Sequence, residues 1–125
     1  MLQNFVWVAL GGALGSCGRY GFSVLLDSKA AGFPYGTFTV NLLGSLFLGI
    51  LLAASFWEGD KNLGVKLFLT TGLMGGFTTY SAFSFETMTL LRQGQLGTGL
   101  TYLGATLVIC LLASVLGFWL GRQIF

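Results

Sequence analysis

Residues 72–84 read Gly72-Leu73-Met74-Gly75-Gly76-Phe77-Thr78-Thr79-Tyr80-Ser81-Ala82-Phe83-Ser84, in the middle of an apolar stretch long enough to cross a membrane. Glycines and hydroxyls stand where a simple span carries Leu and Ile. A helix that breaks at membrane depth frees backbone amides and carbonyls, and lipid cannot satisfy them. They require protein, water or an ion. Discontinuous helices are the recurring device by which transport proteins hold ions near the midplane, carbonyls for cations and helix N-termini for anions. The alternative is an unbroken helix whose Ser and Thr bond back to the preceding turn. A break is the expectation here.

Outward from this stretch the rest of the chain is equally apolar. Of its 125 residues 54% are hydrophobic and 8% charged, too little polar surface to clothe a soluble globule. With roughly 20 apolar residues per crossing, four spans are expected, over residues 5–26, 38–57, 67–91 and 100–120. Between them lie Asp27, Lys29 and the lone Pro34, then Glu58, Asp60, Lys61 and Lys66, then residues 92–99, all short turns. The reading is one all-α integral membrane domain over residues 1–125. The residues ahead of the first apolar stretch carry no Lys or Arg, and that stretch exceeds a signal peptide's apolar region, so a permanent span is expected. Cys17 and Cys110 fall within spans, where a thiol behaves as a small apolar group, and neither a disulfide nor a metal site is expected of them. The sequence holds no His, which removes imidazole proton relays and the usual transition-metal donors.

Lys and Arg in short loops bias which side of a membrane protein stays cytoplasmic. Here Lys61, Lys66 and Arg122 share the side of the N-terminus and Lys29 and Arg92 lie on the other; Arg19, if it snorkels toward the first loop, evens the balance. A chain without orientation preference can insert both ways, and two opposite copies can pair about a two-fold axis in the membrane plane. An antiparallel, dual-topology dimer is therefore expected, the alternative being that a marginal charge difference still fixes one orientation. Gly11 and Gly15, Gly72 and Gly76, and Gly117 and Gly121 are each four residues apart and open grooves for close helix packing.

Further polar residues point inward. Thr37 and Asn41 share a face of the second span, and an Asn amide in hydrocarbon needs a partner. Tyr102, Thr106, Cys110 and Ser114 recur every four residues, a stripe that suits either a helix–helix seam or a pore lining. Arg19 and Glu86 are the ionisable groups deepest in spans; such groups face a cavity or each other, so an Arg19–Glu86 pair is one option.

Three stretches together, Gly11-Gly12-Ala13-Leu14-Gly15-Ser16-Cys17-Gly18-Arg19-Tyr20, Gly36-Thr37-Phe38-Thr39-Val40-Asn41-Leu42-Leu43-Gly44 and residues 75–83, resemble the Fluc (CrcB) fluoride channels over nearly the whole chain. The resemblance implies a dual-topology homodimer with two antiparallel pores that exports cytoplasmic fluoride passively and gives fluoride resistance. It implies a structural sodium ion on the two-fold axis, held by backbone carbonyls that map to Gly75 and Thr78 of both chains. Asn41 matches the family's pore asparagine, Tyr80 and Phe83 its two phenylalanine positions, and Arg19 its vestibule cation. Ser81, Tyr102, Thr106 and Cys110 fall along its polar track, with Thr37 on the path and Glu86 toward one end. The implied setting is a multi-pass protein of the bacterial inner membrane, with lipid, fluoride and sodium as partners and no nucleic acid. Tyr80 and Ala82 depart from the family's Thr-Thr-Phe-Ser-Thr-Phe run and Cys110 replaces a hydroxyl, which leaves open pairing with a sister chain as a heterodimer.

Fluoride suits these residue types. A small anion is tightly hydrated, so a narrow path must offer hydroxyl and amide donors in place of water, and aromatic ring edges add a positive rim without a trapping charge. Two other classes compete. A small multidrug-type, proton-coupled antiporter is also a short four-span chain, but it needs an acidic residue in its chamber and the first span has none. A non-transporting assembly subunit would use the glycine grooves for packing alone. Enzymatic catalysis is not expected, because no nucleophile has an evident base.

Overall fold

The computed structural model describes residues 1–27, 32–54 and 62–125, and every regular element among them is helical. Helix α1 runs Leu2–Asp27 and α2 runs Tyr35–Leu52. A short α3, Leu63–Leu67, continues into a π-helical segment, Phe68–Met74, and then into α4, Gly75–Phe77. Helical geometry lapses at Thr78 and Thr79, and α5, Tyr80–Arg92, and α6, Leu96–Ile124, follow.

These bounds shift the expected spans at their ends. The second helix starts before Phe38 and stops at Leu52, with Ala53 in a turn, instead of reaching Trp57. Residues 55–57 lie outside the described residues, as do Lys29, Glu58, Asp60 and Lys61. The final turn is also shorter than residues 92–99, because α6 already begins at Leu96. Gly94 adopts φ 77°, a left-handed conformation that glycine takes without a Cβ clash. The Gly94 amide donates to Leu91 O at 3.1 Å and the Gln95 amide to Leu90 O at 3.0 Å, which closes α5 in a Schellman motif.

Burial on α6 is inverted relative to a soluble helix. Gly99, Tyr102, Thr106, Ala113, Gly117 and Gly121 are its buried residues, whereas Leu111 is 65% and Val115 65% exposed. Small and polar residues face protein and branched aliphatics face outward, the arrangement of a helix solvated by lipid. Helices α2 and α6 are each long and apolar enough to cross a membrane. At about 1.5 Å per residue, α1 is about 39 Å long, more than a bilayer core of about 30 Å. This is a membrane protein.

Packing follows the glycines. Helix α6 lies along α2, and α1 lies along the π-helical segment. A Cβ on Gly117 would strike the Leu46 carbonyl, and one on Gly11 would strike the Phe68 carbonyl, so both contacts run backbone against backbone. Between α5 and α6, Phe83, Leu90 and Tyr102 form a buried cluster with Phe33 and Phe38 against it.

Candidate functional site

At the lapse, Thr78 (φ −83°, ψ 155°) and Thr79 (φ −152°, ψ 119°) are both extended. In a continuous helix the Thr79 amide would donate to the Gly75 carbonyl and the Ala82 amide to the Thr78 carbonyl. Neither does so here. The Thr79 amide donates to Asn41 Oδ1 at 2.8 Å, and Asn41 Nδ2 donates to the Thr79 carbonyl at 3.0 Å. The Ala82 amide donates to Thr79 Oγ1 at 3.2 Å, which makes Thr79 the N-cap of α5. Arg19 Nε donates to the Gly76 carbonyl at 3.1 Å. Thr78 instead bonds back, Oγ1 to Met74 O at 2.9 Å.

Arg19 and Glu86 therefore do not pair. Glu86 accepts from Thr37 Oγ1 at 2.7 Å through one oxygen and from the Tyr102 hydroxyl at 2.6 Å through the other, tying α2, α5 and α6 together. Each charge had a nearer polar partner on another helix, and this removes the ion pair as an option. The polar stripe of α6 divides accordingly. Tyr102, fully buried, turns to Glu86, while Thr106, Cys110 and Ser114 line a cavity of about 360 Å³ together with Asn41, Tyr80 and Phe83. Thr106 is 5% exposed, and its Oγ1 has no hydrogen-bond partner among the described residues. The Tyr80 and Phe83 rings meet edge to face at 5.5 Å, and Phe83 meets Tyr102 in the same way at 5.3 Å. Ser81 is exposed beside Thr79, their hydroxyls 3.1 Å apart.

Two features escaped the sequence reading. Composition gives no sign of the π-helical segment, since a slip in hydrogen-bond register changes no residue type. Asp27 counted only as a loop charge, yet its Oδ1 accepts the Gly36 amide at 2.8 Å and caps α2 from the end of α1. Pro34, which cannot cap by side chain, ahead of Tyr35 was the available signal.

A lapse of helical geometry at Thr78 and Thr79, with the Thr79 amide held by Asn41 beside a largely apolar cavity, is a feature that membrane transport proteins share. Residues 6–118 match the family model for CrcB-like protein, Camphor Resistance (CrcB). A fluoride-specific ion channel FluC of Paracoccus denitrificans is 45% identical over 125 residues, covering 100% of this chain and 99% of that protein. Another of Thermus thermophilus is 45% identical over 121 residues, 96% of each chain, and a FluC 1 of Listeria monocytogenes is 44% identical over 125 residues, 97% of this chain and 99% of its own. The chain belongs to the CrcB family.

Proposed function

We propose that the chain is a fluoride-specific ion channel that lets cytoplasmic fluoride leave passively down its electrochemical gradient and thereby gives fluoride resistance. Full-length similarity to proteins of that name supports the assignment, and the family is one of channels, not enzymes. The observation that carries the reading is Thr106, a residue that lines the cavity with Asn41, Tyr80 and Phe83 and whose buried hydroxyl has no hydrogen-bond partner among the described residues. Asn41 Nδ2 spends one proton on Thr79, and no second acceptor for it stands among the described residues. Donors that remain unspent at a buried surface fit an anion that must shed water. Ring edges at Tyr80 and Phe83 add a positive rim that holds the ion without trapping it. Cys110 and Ser114 continue the donor line along α6.

Residues before and after Thr78–Thr79 form, in this reading, one crossing built of two pieces. Helix α5 has 13 residues and the elements before the lapse have 5, 7 and 3, so neither piece alone reaches the roughly 20 a crossing needs. Gly75 and Thr78 carbonyls without their helical donors suit a hard cation, which takes oxygen ligands. Two carbonyls per chain would make a four-oxygen sodium site when a second copy is added, and a sodium ion there would supply a fixed positive charge that binds two copies together. The assembly is accordingly an antiparallel, dual-topology homodimer in the bacterial inner membrane, a heterodimer with a sister chain being the variant form. Proton-coupled antiport is disfavoured because both Glu86 oxygens are engaged by hydroxyls.

The test is fluoride efflux from liposomes holding the purified chain, followed by a fluoride electrode against a chloride control. Rapid fluoride-selective efflux without a proton or sodium gradient is the expected result. No efflux, alone or with a sister chain, overturns the reading.

A further inference from the structure

Arg19 donates through Nε to the Gly76 carbonyl at the helix lapse and keeps its charge, so the question left is whether a second cation serves the other end of α5. Among the described residues the other cations are Lys66, Arg92 and Arg122, and of these only Arg92 borders the cavities along α5. It lines a groove of about 450 Å³ with Tyr80, Ser84 and Met88, and also a polar pocket of about 280 Å³ with Thr89 and Gln93. Tyr80 and Phe83 belong both to that groove and to the cavity that holds Asn41 and Thr106. Pocket and groove thus share Arg92 as a lining residue, and groove and cavity share the ring pair. Arg92 lies twelve positions after Tyr80 on α5, about 18 Å along the helix.

We propose that Arg92 is an anion-collecting site at the end of α5 away from the lapse, and that fluoride enters or leaves the α5 groove past its guanidinium. The proposal rests on the channel reading above. No carboxylate pairs with Arg92 among the described residues: both oxygens of Glu86 are taken by Thr37 and Tyr102, and Asp27 caps α2. The Schellman closure at Gly94 fixes the last turn of α5 and so the backbone from which the Arg92 side chain extends. A unit charge about 7 Å from an anion in water raises the local anion concentration about threefold. Salt near 1 M shortens that reach to about 3 Å. A positive side chain at a helix C-terminus also favours the helix dipole, a structural role that would alter flux at every fluoride concentration alike.

Efflux from liposomes containing full-length chain separates the two, measured well below and well above half-saturating fluoride, at low ionic strength and with about 1 M impermeant salt. For Arg92→Gln the ratio of low-fluoride to saturating rate should fall about threefold at low ionic strength, the deficit should vanish in high salt, and Arg92→Lys should restore it. An Arg92→Gln ratio equal to that of the unmodified chain, a deficit that survives high salt, or failure of Lys to restore it overturns the proposal while leaving the channel reading intact. An unmodified chain that passes no fluoride overturns the channel reading, and this site with it.

Discussion

Asn41 and Thr79 exchange two hydrogen bonds, Asn41 Nδ2 to the Thr79 carbonyl at 3.0 Å and the Thr79 amide to Asn41 Oδ1 at 2.8 Å. A side-chain amide thus takes up the backbone amide of an extended residue that has lost its helical acceptor, and adds a bond to the same residue's carbonyl. Asn41→Asp keeps the acceptor for the Thr79 amide but turns the donor into a second acceptor facing the Thr79 carbonyl. In the proposed channel it would also place negative charge on the anion path. Fluoride efflux should drop at least about tenfold, which requires only about 1.4 kcal/mol of added barrier. Efflux from Asn41→Asp liposomes at the unmodified rate would remove Asn41 from the path.

Phe83 is 3% exposed and offers its ring to both Tyr80 and Tyr102. Phe83→Ile removes two edge-to-face pairs, each about 0.5–1.5 kcal/mol beyond their area, and in the proposed channel it would also remove a ring edge from the anion path. Slower fluoride efflux with a lowered unfolding temperature in detergent is the expected pairing. A lowered unfolding temperature with unaltered efflux would assign Phe83 to packing alone.

Apolar patterning made the helices legible because lipid imposes it on every outward face: Leu111 and Val115 face out, and Gly117 and Thr106 face in. Residues 72–84 stand out for the same reason, being polar where lipid tolerates little, and Thr78 and Thr79 are the extended residues within them. What composition could not supply is pairing. The Asn41–Thr79 exchange joins residues 38 apart, and the Thr37–Glu86 bond joins residues 49 apart, so only the packed helices reveal them. The same limit explains Arg19 and Glu86: two opposite charges in apolar spans invite a pair on paper, and three-dimensional placement gives each a different partner.

Gly117 brings α6 onto α2 so closely that a Cβ there would meet the Leu46 carbonyl. A backbone group cannot swing aside as a side-chain tip can. Gly117→Val should therefore force the helices apart, at a cost of about 1–3 kcal/mol or more. Gly104, beside which a Cβ meets nothing, provides the control, and Gly104→Val should leave the elution profile in detergent intact while Gly117→Val broadens it toward aggregate. Equal profiles for the two would show that α2 and α6 do not meet in this way.

Thr106 separates packing from conduction most cleanly. Its hydroxyl is buried without a partner among the described residues, so it carries a desolvation cost that no hydrogen bond within the chain offsets. Val is nearly the same shape and has no hydroxyl to bury. If the hydroxyl served only the fold, Thr106→Val would be neutral or stabilising and efflux would be unaffected. In the proposed channel the residue borders the anion path, since Thr106 lines the cavity with Asn41 and Phe83, and Thr106→Val should instead be as stable as the unmodified chain, or more stable, and yet pass fluoride more slowly. Thermal unfolding in detergent and liposome efflux on the same preparation read the two effects separately. Unchanged efflux from a stabilised variant would place the anion path elsewhere in the bundle.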